Sequence, residues 1–180
     1  MARATFSPFH GEKAFFLLAP GFGRMRAQQF AALIDAAKSD RAETLRLTTS
    51  RQIAIVGHPH SAQEALTQNA KSLGFLTDPA DPRLRIVACA GKPACASAAR
   101  DVQADALALA DILPRGGPVA LHVSGCAKGC ARGAATPITL IAREDGYDVV
   151  FDGRADAMPA THVAHLAGAR ALIASRLAAP

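Results

Sequence analysis

The four cysteines of this chain fall into two short clips. Five residues separate Cys89 from Cys95, three separate Cys126 from Cys130, and thirty lie between the clips. That is the whole cysteine complement, and its grouping constrains the fold, because thiols that act together must be brought to one place. Four thiolates are what an iron-sulfur cluster needs, whereas structural zinc sites use shorter gaps and fit a five-residue spacing poorly. A disulfide pair and a zinc knuckle are the other uses open to paired cysteines.

The residues inside the clips favour the cluster. Gly91, Gly125 and Gly129 let backbone amides approach it closely, and Pro93 stiffens the first loop. After Cys95 a helical pattern runs from Ser97 through Leu113, which predicts the second ligand at or near a helix N-terminus, where the dipole favours thiolate. Lys92, Lys128 and Arg132 add positive charge around the clips.

Half of the 180 residues are hydrophobic, enough for one ordinary domain or two small ones. Charge interrupts every apolar stretch before the roughly 18–20 residues of a membrane span, so no membrane partner is expected. The first six residues lack a secretory leader's apolar core, which makes a reducing cytoplasm the expected compartment; there, cysteines serve as ligands more readily than as disulfides. The net charge of +5 comes from scattered basic residues, with one Tyr and no Trp for base stacking. This argues against nucleic acid and for an anionic small molecule with several carboxylates.

Along the chain, residues 13–18 read as a buried strand, followed by a Pro-Gly-Phe-Gly turn and a helix with Phe30, Leu33, Ile34 and Ala37 on one face. Strands at 44–48 and 52–56 flank the turn Thr49, Ser50 and Arg51. Residues 59–73 predict a helix with a capping box of Ser61 and Glu64, stopped by Gly74. Strands at 84–88 and 119–123 each run into a cysteine clip, so both clips are expected at strand ends on one edge of a sheet. A hairpin is expected over 138–151 and a last helix over 160–177.

With the two clips and residues 45–52, Leu-Arg-Leu-Thr-Thr-Ser-Arg-Gln, the sequence resembles the siroheme-dependent sulfite and nitrite reductase superfamily. The wording around both clips, residues 88–97 and 121–131, most resembles its precorrin-3B synthase family, oxygenases of cobalamin biosynthesis. The resemblance implies an α+β chain: a ferredoxin-like half-domain at 1–58, then a sulfite/nitrite reductase-type 4Fe-4S α/β domain at 59–180. It implies Cys89, Cys95, Cys126 and Cys130 as cluster ligands and Arg51 as a binder of tetrapyrrole carboxylates. In the reductases the position of Cys130 bridges the cluster to siroheme iron. Arg24, Arg46, Lys92, Lys128 and Arg132 are further carboxylate partners by charge and placement, against a bland reading as solvated cations.

The implied function is oxidation of a polycarboxylate tetrapyrrole, precorrin-3A, with siroheme or a non-haem iron as a further cofactor and a separate electron donor. Two alternatives stand beside it: a siroheme-dependent reductase fragment, and a non-catalytic 4Fe-4S electron-transfer subunit. Members of the superfamily carry two such halves in tandem and this sequence matches the second, so a homodimer or a separate chain is expected to supply the other. His58, His60, His122, His162 and His165 form no ligand set in the sequence; the last two are expected on the final helix.

Overall fold

The computed structural model describes residues 13–178; the reading of the first six residues lies outside them. The chain separates into two compact units, Met1–Asp81 and Pro82–Pro180. The units divide at 81/82, while the sequence reading sets its boundary at 58/59.

In the first unit, β1 (Lys13–Leu18), α1 (Ala27–Ser39), β2 (Thr44–Leu47), β3 (Ile53–Pro59) and α2 (Gln63–Ser72) follow in order. The sheet is antiparallel, in the order β1-β3-β2. Alternation along the strands decides what is buried. Phe16, Leu18, Ile53 and Ile55 face a core completed by Leu33 and Ala37 of α1 and Leu66 and Ala70 of α2. This is why α2 belongs here: Leu66 and Ala70, four residues apart on one face, are withdrawn from water by this sheet. Burying a leucine side chain fully is worth about 1.5–3 kcal/mol.

The expected capping box at Ser61 does not form. Ser61 lies inside a 3-10 turn, His60–Ala62, and α2 begins after Ala62 with no side-chain cap. Ser61 stands one residue before the N-cap, Ala62, and Glu64 falls at the second helical position, so the pair is out of register for the box.

The second unit holds β4 (Ile86–Ala88), α3 (Val102–Ala108), β5 (Leu121–Ser124), β6 (Thr136–Arg143), β7 (Gly146–Gly153), β8 (Thr161–Val163) and α4 (Leu166–Ala178). Its strands lie in sequence order in one sheet; β4, β5 and β6 are parallel neighbours and β6 to β8 antiparallel. The buried runs of β5 and β6 are continuous rather than alternating, as for strands covered on both faces. Helix α3 packs on β4 and β5, and α4 on β7 and β8.

Two helix expectations change. The segment after Cys95 becomes helical only at Val102, where Asp101 accepts from the amides of Gln103 and Ala104 at 3.2 Å each. Cys95 is thus not at a helix N-terminus, because residues 96–100 close a loop. The final helix starts at Leu166, since residues 161–163 pair with β7. His162 and His165 accordingly precede that helix.

Candidate metal centre

Parallel pairing of β4 with β5, in register at Ala88 and Val123, sends both strands out of the sheet on the same side. Cys89 follows β4 directly, and its amide extends the ladder to the Val123 carbonyl at 3.2 Å. Cys126 follows β5 by one residue, Gly125. The clips meet there: the Gly125 amide donates to Cys89 Sγ at 3.1 Å, and the Ala99 amide donates to the Gly125 carbonyl at 2.9 Å. Lys128 Nζ, in the second clip, donates to Ser97 Oγ beyond the first at 3.2 Å.

Glycine is required at two of these positions for different reasons. Gly91 has φ +66°, and a Cβ there would stand 2.9 Å from the Val102 nitrogen. At Gly125 a Cβ would stand 2.7 Å from the Ala98 Cβ and 3.2 Å from Cys89 Sγ. The space between the clips accepts backbone only.

The four thiols are free; Cys89, Cys95 and Cys126 are half-buried and Cys130 is exposed. Among the described residues no three His, Cys, Asp or Glu side chains come close enough to hold one metal ion. A cluster spreads its thiolates over several irons, and an amide donating to a ligand sulfur is one of the bonds that tune such a centre. The donor set, the backbone-only cradle and the bond to Cys89 Sγ fit the cluster.

The predicted cations fall into two sets. On the first unit, Arg24, Arg46 and Arg51 are exposed. Arg51 adopts φ 61°, and its aliphatic stem lies against Gly23, bringing the β2–β3 turn beside the turn that precedes Arg24. A non-glycine residue held in the left-handed region at a loop meeting is strain of the kind found at binding sites. Arg46 pairs with Ala54 on the sheet face away from the helices. On the second unit, Lys92 is exposed and Lys128 bridges the clips. Arg132 braces its own loop, with Nε donating to Thr136 Oγ1 at 2.9 Å.

Among the described residues no three histidines gather. His58 and His122 are buried on β3 and β5, His60 lies in the turn before α2, and His162 pairs with Asp148 at 2.9 Å. Sequence reasoning missed Gln103, whose Nε2 donates to the Cys89 carbonyl at 3.2 Å, and Ser124, whose Oγ donates to the Cys126 carbonyl at 2.7 Å. Ser124, two residues before a cysteine at a strand end, is the kind of local capping signal that could have been found.

Precorrin-3B synthase from a Sinorhizobium species is 31% identical over 143 residues, covering 78% of this chain and 31% of its own length. The chain is a homologue of precorrin-3B synthase. It spans about a third of that relative's length. The NADPH sulfite reductase hemoprotein beta-component of Vibrio cholerae is 24% identical over 119 residues, 60% of this chain and 21% of its own. Among solved structures, the Mycobacterium tuberculosis NirA protein superposes with a TM-score of 0.63 at 19% identity, over 83% of this chain and 31% of its own. Dissimilatory sulfite reductase I gives 0.56 at 17% identity, over 72% and 32%. The mixed α+β fold is shared with these proteins. No family model matches the chain. No helix among the described residues is long and apolar enough to cross a membrane.

Proposed function

We propose that this chain is the cluster-binding part of a precorrin-3B synthase-type oxidoreductase that acts on a polycarboxylate tetrapyrrole. Cys89, Cys95, Cys126 and Cys130 would hold a 4Fe-4S cluster, which when bound supplies one-electron transfer. The observation that carries this reading is the meeting of the clips at Gly125, whose amide donates to Cys89 Sγ at 3.1 Å. Within that frame the protein's own groups have distinct tasks. The Gly125 amide, donating to Cys89 Sγ, fixes the direction of that ligand. Ser124 Oγ and Gln103 Nε2 fix the carbonyls of Cys126 and Cys89 and so orient both ligand backbones. Arg24, Arg46 and Arg51 on the first unit and Lys92 on the second are exposed cations of the kind that bind carboxylates.

One observation favours a second reading, a siroheme-type centre. Cys130 alone of the four thiols is exposed, which suits a thiolate shared with a macrocycle iron. A separate electron donor is required in either case. The outer edge of β2 is unpaired among the described residues and Leu47 there is 74% exposed, which supports assembly with a second copy through the first unit.

Anaerobic reconstitution with ferrous iron and sulfide tests the assignment. About four irons and four sulfides per chain and a broad brown absorbance are expected, all lost in Cys126→Ser. One zinc and no iron after the same treatment overturns it. Adding siroheme or a metal-free octacarboxylate porphyrin separates the readings: tight siroheme binding dependent on Cys130 supports the second, and porphyrin binding that survives Cys130→Ser supports the first.

A further inference from the structure

Fifty residues after the first clip, a buried tyrosine makes contacts that bear on the clip itself. The loop from Cys89 to Cys95 closes through backbone bonds: the Cys95 amide donates to the Gly91 carbonyl at 2.8 Å, and the Lys92 amide to the Arg100 carbonyl at 2.9 Å. The Arg100 carbonyl lies 3.2 Å from where a Gly91 Cβ would stand, so Arg100 borders the tightest part of the loop. What holds Arg100 is remote in sequence. Its Nε donates to the Tyr147 hydroxyl at 3.1 Å, and its guanidinium sits over the Tyr147 ring, 5.3 Å from the centroid. The Tyr147 hydroxyl in turn donates to Asp105 Oδ2, and Arg100 Nε lies 3.6 Å from that same oxygen.

Tyr147 is fully buried near the start of β7, while Arg100 is 36% exposed and Asp105 15%. Burial first, and then the bond to Asp105, hold the phenol well above its ordinary pKa, so it stays a neutral donor. A buried hydroxyl with one donor and one acceptor bond is satisfied in both roles. The three side chains tie the end of the cysteine loop, the first turn of α3 and the sheet into one unit.

We infer that Tyr147, through Arg100 and Asp105, is a positioning residue for the Cys89–Cys95 loop, holding that pair of thiols in place for the cluster. The inference takes from the proposed function only what the loop holds. The bonds that close the loop are made by the chain itself.

The test uses the full chain with Tyr147→Phe, which keeps the ring and removes the hydroxyl, and Arg100→Gln as a second variant at a partly exposed site. Hydrogen exchange in the metal-free chain is read at the Lys92 and Cys95 amides and on β5. Thiol labelling compares Cys89 and Cys95 with Cys126 and Cys130. The electron paramagnetic resonance spectrum of the reduced, reconstituted chain is the third readout. In both variants, exchange at Lys92 and Cys95 is expected to rise about ten-fold or more, with β5 and the labelling of Cys126 and Cys130 unchanged and the spectrum shifted. Unchanged exchange at Lys92 and Cys95, or a uniform rise across β5 as well, overturns the inference. If the parent chain takes up no iron, the cluster assignment fails while the exchange and labelling results still decide the role of Tyr147.

Discussion

Replacing Gly125 by alanine probes the meeting of the clips most directly. The new Cβ would stand 2.7 Å from the Ala98 Cβ, where carbon atoms rest at about 3.5–4.0 Å, and 3.2 Å from Cys89 Sγ. Neither neighbour retreats freely. Ala98 is buried, and the next residue's amide is bonded to the Gly125 carbonyl at 2.9 Å; Cys89 is fixed by its ladder bond to Val123. Forcing a methyl into such a contact costs about 1–3 kcal/mol, and losing one of the bonds across the gap adds about 0.5–1.5. A total near 3 kcal/mol lowers the melting temperature of a unit of roughly a hundred residues by about 12–24 °C. Calorimetry of the metal-free chain reads this, and iron analysis after reconstitution reads the site. Gly133→Ala is the control: nothing lies within 4 Å of its Cβ, so a change below about 0.5 kcal/mol is expected. A Gly125→Ala chain that melts within 2 °C of the parent and takes up the same iron would refute the reasoning.

Three further outcomes are expected. Arg51→Ala should weaken binding of an octacarboxylate porphyrin, measured by fluorescence titration, by roughly ten-fold or more, the worth of one charge-assisted bond; equal affinities would leave Arg51 an ordinary turn residue. Burial works against ionisation of Asp148, but the bonds from His162 and Arg143 outweigh it and hold its carboxyl below the usual range. Its contribution to stability is therefore complete above its unfolded pKa of about 3.9 and lost as pH falls through the lower folded value; urea unfolding of Asp148→Asn should show a deficit at pH 6 that shrinks as the pH is taken below that unfolded value. Finally, light scattering at tens of micromolar should find a dimer that Leu47→Glu dissociates, and a monomeric parent chain would remove the β2 edge as an assembly surface.

Much of the fold was legible because its strands advertise themselves locally. Residues 13–18 read as a strand and form β1 with those bounds, and the Glu144–Asp145 hairpin lies where the turn residues put it. The helices were less legible at their ends. The apolar spacing after Cys95 is genuine, with Val102, Ala106 and Leu109 buried. Yet the Ala98 and Ala99 amides are taken by Cys95 and Gly125, and only the second of these partners is remote in sequence. Propensity over a window cannot register a bond to a residue 26 positions away. The assignment of residues 63–72 to the first unit has the same cause, since Leu66 and Ala70 are indifferent in sequence to which sheet buries them.

The candidate site divides along the same line. Thiols advertise their chemistry wherever they stand, and clip spacing alone distinguishes a cluster from a zinc knuckle as a reading. What fixes those thiols is carried by residues with no distinctive signature. Arg100 and Tyr147 stand 47 positions apart, and an arginine after a loop and a tyrosine in a strand are each ordinary. Their meeting depends on β7 lying two strands from β5 in the sheet. The sheet therefore does more than deliver two strand ends to one side: it brings a neutral phenol to the loop that carries two of the four cysteines. Substitutions that preserve every cysteine can on this account still loosen the centre, and those that do so should map to the packing between α3 and the sheet rather than to the clips.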